Sequence, residues 1–147
     1  MTRIESVFNQ LTAKGKKGFI AYVTAGDPSL EDTIDIVLRL EDAGVDVVEL
    51  GIPFSDPLAD GRVNQESAVR ALAAGATPGK VLDMIAHLRE KTQLPIMCYT
   101  YLNPYHAAGY ANMIRRTEKA GVDGVLFFDL SVEESGEIVG MLYKNRI

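Results

Sequence analysis

The chain has 147 residues, 47% of them hydrophobic and 24% charged, and a net charge of −5 at pH 7; these are the proportions of one soluble globular domain. Lysine and arginine form no block beyond Lys14-Gly15-Lys16-Lys17, which argues against a polyanion-binding surface and so against a nucleic-acid partner. Two histidines and one cysteine cannot assemble a soft metal cluster, and no apolar run approaches the roughly 20 residues that span a bilayer.

Ile4, Val7, Phe8 and Leu11 recur at helical spacing and predict a short opening helix over 2–13. Phe19 to Thr24 reads as a strand, closed by the turn residues Ala25-Gly26-Asp27-Pro28. Ser29 is a candidate N-cap with Asp32 three residues on, and Ile34, Val37, Leu38 and Leu40 form the stripe of a helix that ends at Ala43-Gly44. Val45 to Ile52 is the second strand, followed by the acidic loop Phe54 to Gly61. Helical spacing returns through Val69, Leu72 and Ala73, breaks near Gly75, and resumes after Thr77-Pro78 with Val81, Leu82, Ile85 and Leu88. Pro95 opens a third strand, Ile96 to Leu102, ended by Asn103-Pro104. A helix through Ile114 reaches Ala120-Gly121, and Gly124 to Leu130 is the fourth strand. Ser131, with Glu134 in the capping-box position, predicts a last helix through Ile138, Met141 and Leu142.

Apolar strands separated by helices imply a parallel sheet covered by helices. Ala43-Gly44-Val45-Asp46 and Ala120-Gly121-Val122-Asp123 each end a helix and launch a strand. That repeat fits a barrel of duplicated units, and four βα units are half of a (β/α)8 TIM barrel. The expected architecture is therefore one α/β domain over 1–147, a half-barrel. The first ten residues carry Glu5 and no apolar signal-peptide core, and the lone Cys98, in an apolar run, suits a reducing compartment. The expected location is the cytoplasm.

Glu49 stands inside the apolar run Val47-Val48-Glu49-Leu50, where a charged, unpaired carboxylate costs several kcal/mol to bury. Parallel α/β folds place their sites outside the C-terminal strand ends, the end to which Glu49 and Asp60 both belong. Two acids reached from one strand end suit general acid/base chemistry; a structural acid paired with a basic residue is the plainer alternative. Period 2 groups Tyr22 with Thr24, Tyr99 with Tyr101, and Leu126 with Phe128, and leaves open which set faces inward.

Two motifs carry a resemblance. Tyr22-Val23-Thr24-Ala25-Gly26-Asp27-Pro28 and Glu49-Leu50-Gly51-Ile52-Pro53-Phe54-Ser55-Asp56-Pro57-Leu58-Ala59-Asp60-Gly61 resemble the first-strand motif and the signature of the tryptophan synthase alpha subunit family. Weaker echoes run through Asn103-Pro104, Ala120 to Gly124 and Asp129, so nearly the whole chain is covered, in register with the family's first four βα units. The resemblance implies a lyase of tryptophan biosynthesis that cleaves indole-3-glycerol phosphate to indole and glyceraldehyde 3-phosphate. It implies no metal or organic cofactor in this subunit. Glu49 matches the acid/base that protonates the indole ring carbon and handles the glycerol hydroxyl proton, and Asp60 the partner of the indole N–H. Burial favours the proton-donating form of a carboxyl and solvation the anion, which suits that division of labour. Tyr22, Tyr99, Tyr101, Leu126 and Phe128 match positions around the indole. Pro53, Phe54 and Asp56 lie in the loop matching the contact with the pyridoxal-phosphate-bearing beta subunit of an alpha2beta2 assembly.

Three departures stand out. Arg62-Val63-Asn64 replaces the usual Pro and apolar residue after Gly61, and Arg62 is a candidate partner for Asp60. Phe128 stands where a smaller residue is common. The family's lid after strand six and its phosphate loops near strands seven and eight lie outside the 147 residues. The alternative is thus an inactive half-barrel scaffold or partner-binding module without a phosphate anchor. A lysine Schiff-base aldolase is disfavoured, since no lysine sits in a strand. Two bare sheet edges predict self-association or partial unfolding of the isolated chain.

Overall fold

The computed structural model describes residues 2–147. Its elements run α1 (Arg3–Ala13), β1 (Ile20–Thr24), α2 (Leu30–Asp42), β2 (Val47–Gly51), α3 (Arg62–Ala73), α4 (Pro78–Arg89), β3 (Ile96–Thr100), α5 (Leu102–Ala108), α6 (Tyr110–Ala120), β4 (Gly124–Phe127) and α7 (Gly136–Lys144). Three helix starts fall where a hydroxyl satisfies an otherwise free backbone N–H. Thr2 Oγ1 accepts from Glu5 N at 3.1 Å, Ser29 Oγ from Asp32 N at 3.0 Å, and Thr77 Oγ1 from Lys80 N at 3.3 Å with Pro78 in the first turn.

The strands are one to three residues shorter than their apolar runs, and two boundaries differ in kind. The third strand stops at Thr100 because Leu102 already begins α5, its N–H held by Asp129 Oδ1 at 2.7 Å. Asp129 therefore caps α5. The last helix begins at Gly136, not after Ser131; Ser131 donates to Glu134 Oε2 at 3.1 Å within a turn and caps nothing. In α3 the buried residues are Ser67, Ala68 and Ala71, while Val69 is 65% exposed. Small side chains are needed there because the chain after α3 packs against the loop after β1. A Cβ on Gly26 would lie 2.7 Å from that of Ala76.

The four strands are parallel, in the order β1-β2-β3-β4, which is half of a (β/α)8 barrel. One face carries Val48, Leu50, Ile96 and Cys98, buried with Val37, Val81, Ile85, Leu88 and Ile114 of the helices. The other face carries Tyr22, Glu49, Met97 and Gly124 in one row and Thr24, Gly51, Tyr99 and Leu126 in the next. This second face lines the barrel interior and is open: Ile20 is 42% and Leu126 40% exposed.

The repeat has a structural counterpart. Asp46 Oδ2 accepts from Phe19 N at 2.8 Å, and Asp123 Oδ2 from Ile96 N at 2.9 Å, the partners 27 residues apart in both pairs. Each aspartate ties the start of its own strand to the start of the strand before it. Counted from these anchors, Tyr22 is equivalent to Tyr99, Glu49 to Leu126 and Gly51 to Phe128.

Candidate active site

The parity of β2 puts Glu49 on the barrel-interior face, beside Tyr22 of β1 and Met97 of β3. It is the one residue of β2 that is not buried. The expectation of a fully desolvated acid is therefore corrected to a half-buried one. Val48 and Leu50, on the opposite face, are buried under helices, whereas on the face of Glu49 Leu126 stays 40% exposed.

The loop after β2 is shaped by its own backbone, with Leu58 N donating to Asp56 O at 2.9 Å and Asp60 N to Pro57 O at 3.1 Å. Two side chains then hold it. The Tyr101 hydroxyl donates to Asp60 Oδ2 at 2.9 Å and accepts from Ala59 N at 3.0 Å. Gln65 Nε2 donates to Asp60 O at 2.8 Å and to Pro57 O at 3.3 Å. Tyr101 thus tethers the loop, a contact additional to its expected place around the ring pocket. Arg62 pairs with Glu66 at 2.7 Å rather than with Asp60, since both sit on α3 four residues apart.

Aromatic rings continue from Asp60 across the sheet. Phe54 tilts on Tyr101 at 5.2 Å, Tyr101 on Phe128 at 5.3 Å, Phe128 meets Tyr99 edge-on at 3.9 Å, and Tyr99 meets Tyr22 edge-on at 5.0 Å. Four of the five residues placed around the ring site form this wall. Leu126 lies in the same row as Tyr99. Burial pushes the Tyr99 phenol up to about 12, with the charge of Asp60 and then of Glu49 adding to it. Burial also raises the Tyr22 phenol; the Thr24 hydrogen bond works against this, and Asp60 and Glu49 add to it. Both acids therefore act electrostatically on the same two phenols.

Three contributors carry no signal in a strand or loop pattern. Gln65 is one. Ser67 of α3 is the second, 2.6 Å from Thr24 Oγ1, which is in turn 3.2 Å from the Tyr22 hydroxyl. Gly51 is the third: a Cβ there would lie 2.2 Å from Tyr22 Oη, so only glycine lets that phenol cross β2.

The three positions expected to contact a partner separate. Pro53 is buried, Phe54 half-buried and Asp56 exposed. Pro53 and Phe54 border an apolar groove of about 450 Å³ shared with Leu72, Pro78, Pro104 and Met113. Among the described residues no three metal-ligating side chains gather, and no helix is long and apolar enough to cross a membrane.

The family model for the tryptophan synthase alpha chain matches residues 8–147. The tryptophan synthase alpha chain of Caldanaerobacter subterraneus subsp. tengcongensis is 44% identical over 147 residues, covering 100% of this chain and 56% of the relative. That of a Geobacter species is 48% identical over 140 residues, covering 95% and 52%. The crystal structure of tryptophan synthase subunit alpha from Legionella pneumophila superposes with a TM-score of 0.97 at 38% identity, covering 100% of this chain and 56% of that one. A chain from the tryptophan synthase a2b2 complex of Pyrococcus furiosus superposes with a TM-score of 0.84 at 38% identity, covering 88% and 53%. The chain thus spans about half the length of the curated relatives it matches.

Proposed function

The chain belongs to the tryptophan synthase alpha chain family, and from that premise we propose that it supplies the acid/base half of a lyase of tryptophan biosynthesis acting on indole-3-glycerol phosphate. The observation that carries the proposal is one aromatic wall, Tyr22, Tyr99, Phe128 and Tyr101, influenced by two carboxylates, Glu49 from the strand and Asp60 from the loop. A flat apolar substrate ring fits such a wall, and the acids meet its developing charges.

Glu49 in its protonated form gives its proton to the ring carbon that bears the glycerol chain. The resulting ring cation directs its N–H to Asp60, whose charge offsets it. Tyr101 occupies Asp60 Oδ2 and leaves the other oxygen for the substrate. The Glu49 carboxylate then takes the proton of the adjacent glycerol hydroxyl. The carbon–carbon bond to the ring breaks, its electron pair returns to the ring, and indole and glyceraldehyde 3-phosphate separate. One carboxyl donates the first proton and recovers the second, so neither a metal nor an organic cofactor is needed in this chain. Phosphate binding falls to the half of the relatives that the chain does not span. Pro53, Phe54 and Asp56 face a beta subunit carrying pyridoxal phosphate, and the single buried Cys98 is in keeping with a cytoplasmic setting.

Glu49→Gln in the completed barrel tests the assignment. Turnover is expected to fall by about a hundredfold or more, the scale of a lost general acid, with KM little changed. An unaffected rate removes Glu49 from the chemistry.

A further inference from the structure

We propose that Ser67 is a positioning residue for this site: through Thr24 it turns the Tyr22 hydroxyl proton away from the barrel interior, so that Tyr22 meets the substrate as a hydrogen-bond acceptor. The inference deepens the proposed function and rests on its choice of substrate.

The polarity follows from counting protons. Asn64 O is a carbonyl and only accepts, so its 2.9 Å contact with Ser67 Oγ consumes the single hydroxyl proton of Ser67. The 2.6 Å contact between Ser67 and Thr24 then requires Thr24 to donate. With the Thr24 proton used, the 3.2 Å contact with Tyr22 requires Tyr22 to donate in turn. The phenol at the end of the line has only lone pairs left. Thr24 and Ser67 are both buried, where each hydroxyl proton needs an acceptor.

The place of that oxygen gives the polarity its use. Tyr22 Oη crosses over Gly51, one row above Glu49 on the barrel-interior face. Indole-3-glycerol phosphate carries donors of the right kind in its glycerol hydroxyls, its ring N–H being directed to Asp60. The helix behind the chain is firmly placed: three residues beyond Ser67, Arg70 forks onto Asp27 with contacts of 3.0 and 2.7 Å. One face of α3 thus grips the last residue of β1 and the loop that follows it. The helix that begins where the Asp60 loop ends therefore also sets the hydrogen-bonding sense of the opposite wall.

In the completed barrel, Ser67→Ala and Tyr22→Phe should each lower kcat/KM for indole-3-glycerol phosphate about tenfold, the scale of one hydrogen bond. The double variant should be no worse than either single one, because both remove the same acceptor, and Ser67→Thr should restore the rate. Multiplied effects in the double variant, or an unaffected Ser67→Ala, overturn the inference. Neutron diffraction on the deuterated protein reads the polarity without catalysis, and the Tyr22 deuteron is expected between Oη and Thr24 Oγ1. A deuteron directed into the barrel interior refutes the role of Ser67 even if the lyase reaction is established. The expected deuteron in a barrel that does not cleave the substrate refutes the function and leaves the polarity standing.

Discussion

At Gly51 the absence of a side chain is as consequential as any group present. A methyl there would lie 2.2 Å from Tyr22 Oη and 2.7 Å from Cζ, and the ring is held at its far end by Thr24. Gly51→Ala is expected to cost about 1–3 kcal/mol in denaturant titration, the scale of overpacking. Tyr22→Leu should recover part of that loss, since the clash is with the ring. The phenols make a second prediction. Below the ordinary value of 10.0 both folded and unfolded states keep the Tyr99 proton; between that and about 12 the unfolded chain loses it first. Stability should therefore fall as pH rises from about 10 toward 12. Tyr99→Phe should flatten the decline in denaturation midpoints, and an unchanged slope would show that this phenol is not held protonated by the fold.

Between elements, the two equivalent aspartates carry unequal loads. Asp46 holds one backbone N–H. Asp123, with a side chain only 5% exposed, takes Ile96 N, Arg3 Nη1 at 2.9 Å and Arg89 Nη2, joining α1, α4, β3 and β4. Arg89 adds bonds to Gly121 O at 2.7 Å and Leu94 O at 2.6 Å. Removing the carboxylate leaves a nearly buried guanidinium without its counter-charge. Asp123→Ala should cost about 3–5 kcal/mol against about 1 kcal/mol for Asp46→Ala, measured by urea unfolding. A reversed ranking would mean that the start of β1, not this ion cluster, limits stability. The repeat is visible as Ala-Gly-Val-Asp in the sequence. The unequal load is not, because Arg3 and Arg89 are far from Asp123 in the chain.

Across the whole molecule, the sheet ends in two unpaired edges, β1 and β4, and its interior face exposes Ile20 and Leu126. A polypeptide of residues 1–147 alone should self-associate, as an open sheet with an uncovered apolar face does. Light scattering is expected to find species larger than a monomer. A clean monomer with a single cooperative unfolding transition would contradict this.

The alternation of apolar strands with helical periods, the Ser29 cap, the helix start at Thr77-Pro78 and the acidic signature from Glu49 to Asp60 were all decided by neighbouring residues, and were legible in order along the chain. Three things were not. Strand parity was open, because period 2 names two faces and only the packed helices choose between them. The commitment of Tyr101 to Asp60 and of Ser67 to Thr24 joins side chains that touch only after the barrel curves. The half-buried state of Glu49 depends on what covers the interior face, a property of the assembled sheet and not of the run Val48-Glu49-Leu50. Short-range periodicity and turn chemistry determine elements; solvation and hydrogen-bonding sense depend on which distant elements come to lie against them.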